Sequence, residues 1–202
     1  FTYSGFWPVA FDAGKRGHSV AADCRRALYW DLFNGACGHT YGHHSIWQMW
    51  DPEKSAYPVN NPLMPWYEAI NQPGAAQMQW GKKLIMSRPF AHRIPATDKV
   101  LKESNIPSAW PGEGIYRFAA TMDEEGTYLM VYAPVGRRFT VCTKVLQGEN
   151  LRAWWYNPRT GKSSSAGKFR NEGERDFISP SPGEETDWML VIDDVAKKYK
   201  RP

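Results

Sequence analysis

Between Tyr116 and Asp193 the sequence breaks into seven short β-like runs with turn signals between them and no helix-forming stretch. They are Tyr116 to Thr121, Thr127 to Ala133, Phe139 to Thr143, Leu151 to Tyr156, Lys162 to Phe169, Arg175 to Ile178 and Trp188 to Asp193. The connectors, among them Asp123-Glu124-Glu125-Gly126, Gln147-Gly148 and Asn157-Pro158-Arg159-Thr160-Gly161, carry the residues that tight turns require. Parallel neighbours need long crossovers, so strands joined this tightly must run antiparallel. The cadence predicts an all-β antiparallel sandwich of about seven strands. Within it, Trp154 and Tyr156 face one way and Trp155 the other, so at least one side of that strand is core. The closing Lys197-Lys198-Tyr199-Lys200-Arg201 reads as a frayed, solvated end.

The front of the chain has a different texture. Phe1 to Gly17 reads as a loop with aromatic anchors. Ser19 is a candidate N-cap, and Val20, Cys24, Leu28 and Leu32 then recur at helical spacing, with Asp23 in the first turn. Gly35 stops that helix, and Ala36 to Tyr41 follows as a predicted strand. A helix running straight into a strand is the αβ unit of parallel α/β folds. Prolines 52, 58, 62 and 65 make the next segment a long irregular loop. A helical turn at Trp66 to Ile70 and a helix over Ala75 to Met86 complete this half, which Arg88-Pro89 ends. The aperiodic stretch Ala96 to Glu113 is the expected boundary, dividing the chain into residues 1–96 and 97–202.

Gly35 to Trp50, G-A-C-G-H-T-Y-G-H-H-S-I-W-Q-M-W, empties a strand into a loop crowded with His39, Tyr41, His43, His44, Trp47, Gln48 and Trp50. Rigid strands ending in such loops position polar, stackable surfaces for small molecules or sugars. The same residues also suit a buried strand with satisfied histidines. Ten tryptophans in 202 residues fit carbohydrate stacking, and large cores use them as well. A net charge of +4 with acids and bases intermixed gives no nucleic-acid footprint, and no apolar run approaches the ~18 residues of a membrane span. Three cysteines (Cys24, Cys37, Cys142) lack disulfide or metal spacing, and Cys24 and Cys37 fall in predicted packed elements where thiols stay protonated. The spacing H-x-x-x-H-H of His39, His43 and His44 on an extended strand does not converge three imidazoles on a metal as the helical H-E-x-x-H does. No cofactor is expected.

D-C-R-R-A-L-Y-W (Asp23 to Trp30), the Gly35 to Gln48 run, P-G-A-A-Q-M (Pro73 to Met78) and S-R-P-F (Ser87 to Phe90) occur in this order. With A-W-W-Y-N-P-R-T-G (Ala153 to Gly161) and D-W-M-L-V-I-D (Asp187 to Asp193), the set resembles the C-terminal part of the apiosidase-like glycoside hydrolases of gut and soil bacteria. The resemblance implies the last βα units of a TIM-like (β/α)8 barrel followed by a β-sandwich that carries a collagen-binding label. It also implies hydrolysis of terminal sugars from plant polysaccharide side chains, and a periplasmic or secreted location.

A barrel of this type needs about 250 residues, so residues 1–96 read as its closing part, the remainder being a companion segment of the same protein. A glycosidase needs two carboxyl groups facing across the scissile bond. Asp12, Asp31, Asp51 and Glu53 read as ordinary surface or capping acids, so no catalytic residue is assigned and the acids are expected upstream of Phe1. In such a barrel the strand-eight loop borders the catalytic face, which makes Tyr41, His43, His44, Trp47 and Gln48 the expected substrate contacts. The alternative is a non-catalytic carbohydrate- or matrix-binding module whose working part is the sandwich.

Overall fold

The computed structural model of the protein describes residues 2–3, 18–59, 62–102 and 113–202. The aromatic-anchored loop expected over Phe1 to Gly17, with Asp12, lies outside the described residues except for Thr2–Tyr3, as does the centre of the expected boundary.

In chain order the elements are β1 (Thr2–Tyr3), α1 (Ala21–Phe33), β2 (Tyr41–Gly42), α2 (His44–Trp47), α3 (Trp66–Ala69), α4 (Pro73–Met86), β3 (Arg93–Pro95) and α5 (Thr97–Val100). Then come β4 (Ala119–Asp123), β5 (Tyr128–Ala133), β6 (Gly136–Cys142), β7 (Asn150–Asn157), β8 (Lys162–Arg170), β9 (Glu174–Gly183) and β10 (Trp188–Asp194). Each of the seven runs read as strands is a strand. Six strands form one antiparallel sheet in the order β3-β4-β5-β10-β7-β8, and β6 pairs with β9 in a separate ribbon.

The central strands of the large sheet are buried on both faces, which explains why β4 and β5 carry no polar alternation. Leu129, Val131, Leu151, Ala153, Trp155, Leu190 and Ile192 point to the ribbon, where Phe139 and Phe177 meet the Trp155 ring at 6.1 and 6.3 Å. Tyr128, Met130, Tyr132, Tyr156, Met189 and Val191 point the other way, against Leu28, Tyr29, Leu32 and Phe33 of α1 and Leu84 and Ile85 of α4. Trp154 also belongs to the helix side, so the expected split of Trp154 and Tyr156 from Trp155 holds. The layers are therefore helices, six-stranded sheet and two-stranded ribbon.

Two glycines set the spacing of these layers. A Cβ on Gly81 would lie 2.5 Å from Leu28, so the α1–α4 approach needs that position bare. Gly161 has φ +66° and closes the β7–β8 turn, where a Cβ would meet the Trp80 ring at 2.3 Å.

Several polar groups crossing the helix–sheet seam are paired, although the buried Tyr29 hydroxyl and Trp154 Nε1 have no hydrogen-bond partner among the described residues. Arg25 on α1 forks onto Asp187 with Nε and Nη2 bonds of 2.8 to 3.1 Å, and its Nη1 donates to Gln77 at 2.6 Å. Arg159 and the Tyr132 hydroxyl also reach the Asp187 carboxylate, at 3.3 and 3.2 Å. Arg88, after α4, makes the matching fork onto Asp193 with two 2.7 Å bonds. Both arginines and both aspartates are at most 3% exposed. The Tyr128 and Tyr156 hydroxyls donate to the main-chain oxygens of Pro89 and Trp80 at 2.7 and 2.9 Å.

The structure corrects several expectations. Ala36–Thr40 is irregular rather than strand: β2 is two residues long and pairs in parallel with β1 alone among the described residues. Gly35 at φ +100° and Gly38 weaken extended pairing there. Where the resemblance implies a barrel end, the described residues hold one parallel pair and two long helices. The helix α1 is capped by Val20, not Ser19, with the Asp23 carboxylate accepting the Val20 N–H at 2.8 Å. Cys37 is exposed, not packed. The sheet gains β3, whose Pro95 is tolerated because an edge strand need not donate every N–H. The basic tail is docked rather than frayed: Tyr199 bonds the Thr127 hydroxyl at 2.8 Å, and Ser163 joins the Arg201 Nε and the Pro202 carbonyl at 2.9 and 2.8 Å.

Candidate substrate-binding loop

The segment after β2 folds into the one-turn helix α2. His43 caps it, its Nδ1 accepting the Ser45 N–H at 3.1 Å. Helical spacing then puts His44, Trp47 and Gln48 on one side of the turn. The Trp47 indole N–H donates to His44 Nδ1 at 3.0 Å, with the two rings 5.5 Å apart and tilted by 59°. An indole N–H can only donate, so His44 Nδ1 is a lone pair and the ring proton sits on Nε2. That Nε2–H donates to the Val59 carbonyl at 2.5 Å.

Gln48 completes the arrangement. Its Oε1 accepts the Val59 N–H at 3.0 Å, and its Nε2 donates to the His44 and Val59 carbonyls at 3.1 and 3.3 Å. Two side chains of α2 thereby hold both backbone groups of Val59, closing residues 48–59 into a loop. Further on, the Trp66 N–H donates to the Trp50 carbonyl at 2.9 Å, which brings α3 against the base of this loop.

His43 and His44 each accept a hydrogen bond at Nδ1, which only the neutral ring can do. His44 is fully buried, and burial lowers its pKa; the Val59 hydrogen bond opposes that shift and nearby His18 adds to it. Burial likewise lowers the pKa of His43, with a smaller contribution from His44.

The structure therefore sorts the five expected contacts. His43, His44 and Gln48 turn inward and hold the loop, while Trp47 stands 52% exposed. Tyr41 lies apart from them: its ring packs beside Gly74 and Cys24, and it lines a cavity of about 620 Å³ with Leu28, Cys37, His39, Met78 and Arg93. His39 is a hydrogen-bonded structural histidine, its Nδ1 2.7 Å from Asp31 Oδ2. Exposed apolar groups continue along the loop at Met49, Tyr57, Val59, Leu63, Tyr67 and Ile70.

The acids do local work. Asp51 accepts the Glu53 N–H at 3.0 Å and pairs with Lys54 at 3.2 Å, Asp31 holds His39, and Glu53 is solvated. Among the described residues no three His, Cys, Asp or Glu side chains converge as metal ligands. No helix among them is long and apolar enough to cross a membrane. Sequence reasoning missed Val59, whose backbone is the anchor of the cluster, since a backbone group leaves no mark on residue type.

Residues 1–92 match the family described as "Apiosidase-like, catalytic domain". Residues 100–193 match the family described as "Putative collagen-binding domain of a collagenase". A solved glycoside hydrolase is 32% identical with a TM-score of 0.86, over 98% of this chain and 42% of its own. A glycoside hydrolase family 5 structure from Bacteroides vulgatus ATCC 8482 is 27% identical with a TM-score of 0.86, over 98% of this chain and 41% of its own. The chain thus spans about two-fifths of the length of these relatives. No protein of curated function matches it significantly.

Proposed function

We propose that the chain forms part of an apiosidase-like glycoside hydrolase that removes terminal sugars from plant polysaccharide side chains. Residues 1–96 would be the closing βα units of its TIM-like barrel and residues 97–202 its β-sandwich. The catalytic carboxylates would come from the part of the protein upstream of Phe1, which is also the partner of residues 1–96. The loop after β2 supplies the wall of the substrate site. Within it Trp47 is the stacking surface, and Tyr41, His43, His44 and Gln48 act at one remove, shaping the wall rather than meeting sugar hydroxyls directly.

The observation carrying this reading is the Trp47 side chain: an indole half in solvent whose N–H is tied to a fully buried histidine. Aromatic faces held in this way suit the apolar face of a sugar ring. The likeness to glycoside hydrolases over nearly the whole chain supports the substrate class.

Assay of the 202-residue chain on aryl glycosides tests the placement of the acids. The expected result is no hydrolysis above buffer. Turnover at the rate of a full-length relative would place the acids within the chain instead.

A further inference from the structure

We infer that His44 is a positioning residue, holding the Trp47 indole by its N–H edge and tying loop 48–59 around it through Val59. The inference rests on the reading of this loop as the wall of a sugar site, and it names the group that aims the wall.

Exposure and tethering are rarely combined in one side chain. Trp47 is 52% exposed, yet its single polar atom is bonded at 3.0 Å to a residue with no exposure at all. An untethered surface tryptophan samples several rotamers, and ordering one on binding costs affinity. Here the hydrogen bond and the 59° ring contact select one orientation beforehand.

The tether depends on which nitrogen of His44 carries the proton. Nδ1 accepts from Trp47 only while Nε2 donates, and the Val59 carbonyl at 2.5 Å is what takes that proton. Gln48 steadies this acceptor, because it holds the Val59 N–H at 3.0 Å and so fixes the peptide on either side. The chain of dependence runs from Gln48 to Val59 to His44 to Trp47. His43 is buried beside it, and His18 is near enough to oppose a positive charge on the ring.

The two ring nitrogens can be tested separately. His44→Asn keeps an acceptor near the Nδ1 position, His44→Gln keeps a donor near the Nε2 position, and His44→Ala removes both. The first readout is hydrogen exchange of the Trp47 indole N–H by NMR, which requires no ligand. Protection is expected in the wild type, partial protection in His44→Asn, and loss in His44→Ala. Equal protection in the wild type and His44→Ala would overturn the inference.

The second readout is titration with pectic oligosaccharides. His44→Ala is expected to weaken binding roughly tenfold, with His44→Asn recovering most of it. Should His44→Ala fail to fold, Trp47→Phe breaks the same bond from the exposed side and is expected to weaken binding similarly. Binding unchanged in Trp47→Phe but abolished in Trp47→Ala would also overturn the inference, since the ring would then act without its tether. If neither the wild type nor any variant binds, the sugar-wall reading fails, and the exchange result alone decides whether His44 holds the indole.

Discussion

The helix–sheet seam and the loop after β2 both rest on buried polar side chains, but they use them differently. At the seam, charged forks from Arg25 and Arg88 meet Asp187 and Asp193 across the main apolar interface. Each partner lies more than 100 residues away in the chain, at separations of 162 and 105. In the loop the groups are neutral, the partners lie at most 15 residues apart, and the product is an exposed ring held by its polar edge. The first arrangement pins the helices to the sheet across an interface already packed by apolar side chains. The second shapes a surface and leaves the core untouched. Stability and binding should therefore respond to different substitutions.

The largest effect is expected at the seam. Asp187→Ala strands two arginines, and the loss of one partner from a buried ion pair costs about 3–5 kcal/mol. Urea titration should show the midpoint falling accordingly, and a change under 1 kcal/mol would mean that the fork adds little. Next comes Gly161→Ala, which combines a left-handed backbone with a Cβ 2.3 Å from the Trp80 ring. A cost of about 1–3 kcal/mol is expected, read as a lower thermal midpoint.

A smaller effect is expected from pH. His43 and His44 have folded-state pKa values below the ordinary histidine value, because both are buried. The unfolded chain therefore binds more protons in mildly acidic solution, and stability rises with pH across that range. Conversely, stability is lost as pH falls below about 6.5, down through the depressed folded values. Denaturation midpoints measured from pH 8 to pH 5 should fall on the acid side, and less steeply in His44→Asn. The smallest effect on stability is that of Trp47→Ala, about 1 kcal/mol, because it removes the indole donor to the buried His44 Nδ1 but no core side chain.

Local chemistry made most of the sheet legible. The turn residues announced all seven strands from β4 to β10, and helical spacing announced α1 and α4. β3 escaped because three residues ending in proline carry no strand pattern; only its partner β4 makes it a strand. Ala36–Thr40 was misread because small and β-capable residues look extended whether or not a neighbour pairs with them. The tail was misread for a related reason: its lysines say solvent, while Tyr199, Arg201 and Pro202 are fixed by Thr127 and Ser163, far back in the chain. In the candidate site, residue types flagged five side chains, of which His43, His44, Trp47 and Gln48 come together, but could not say which of them turn inward. That choice is made by Val59, and no local pattern reveals a backbone carbonyl 15 residues ahead.

The contrast between seam and loop is tested most directly by titrating Trp47→Ala with pectic oligosaccharides beside the wild type, under conditions where both are folded. Loss of the saturable binding shown by the wild type is the predicted result. Equal affinity in the two proteins would contradict the account, because the tethered ring of the loop would then contribute nothing to recognition.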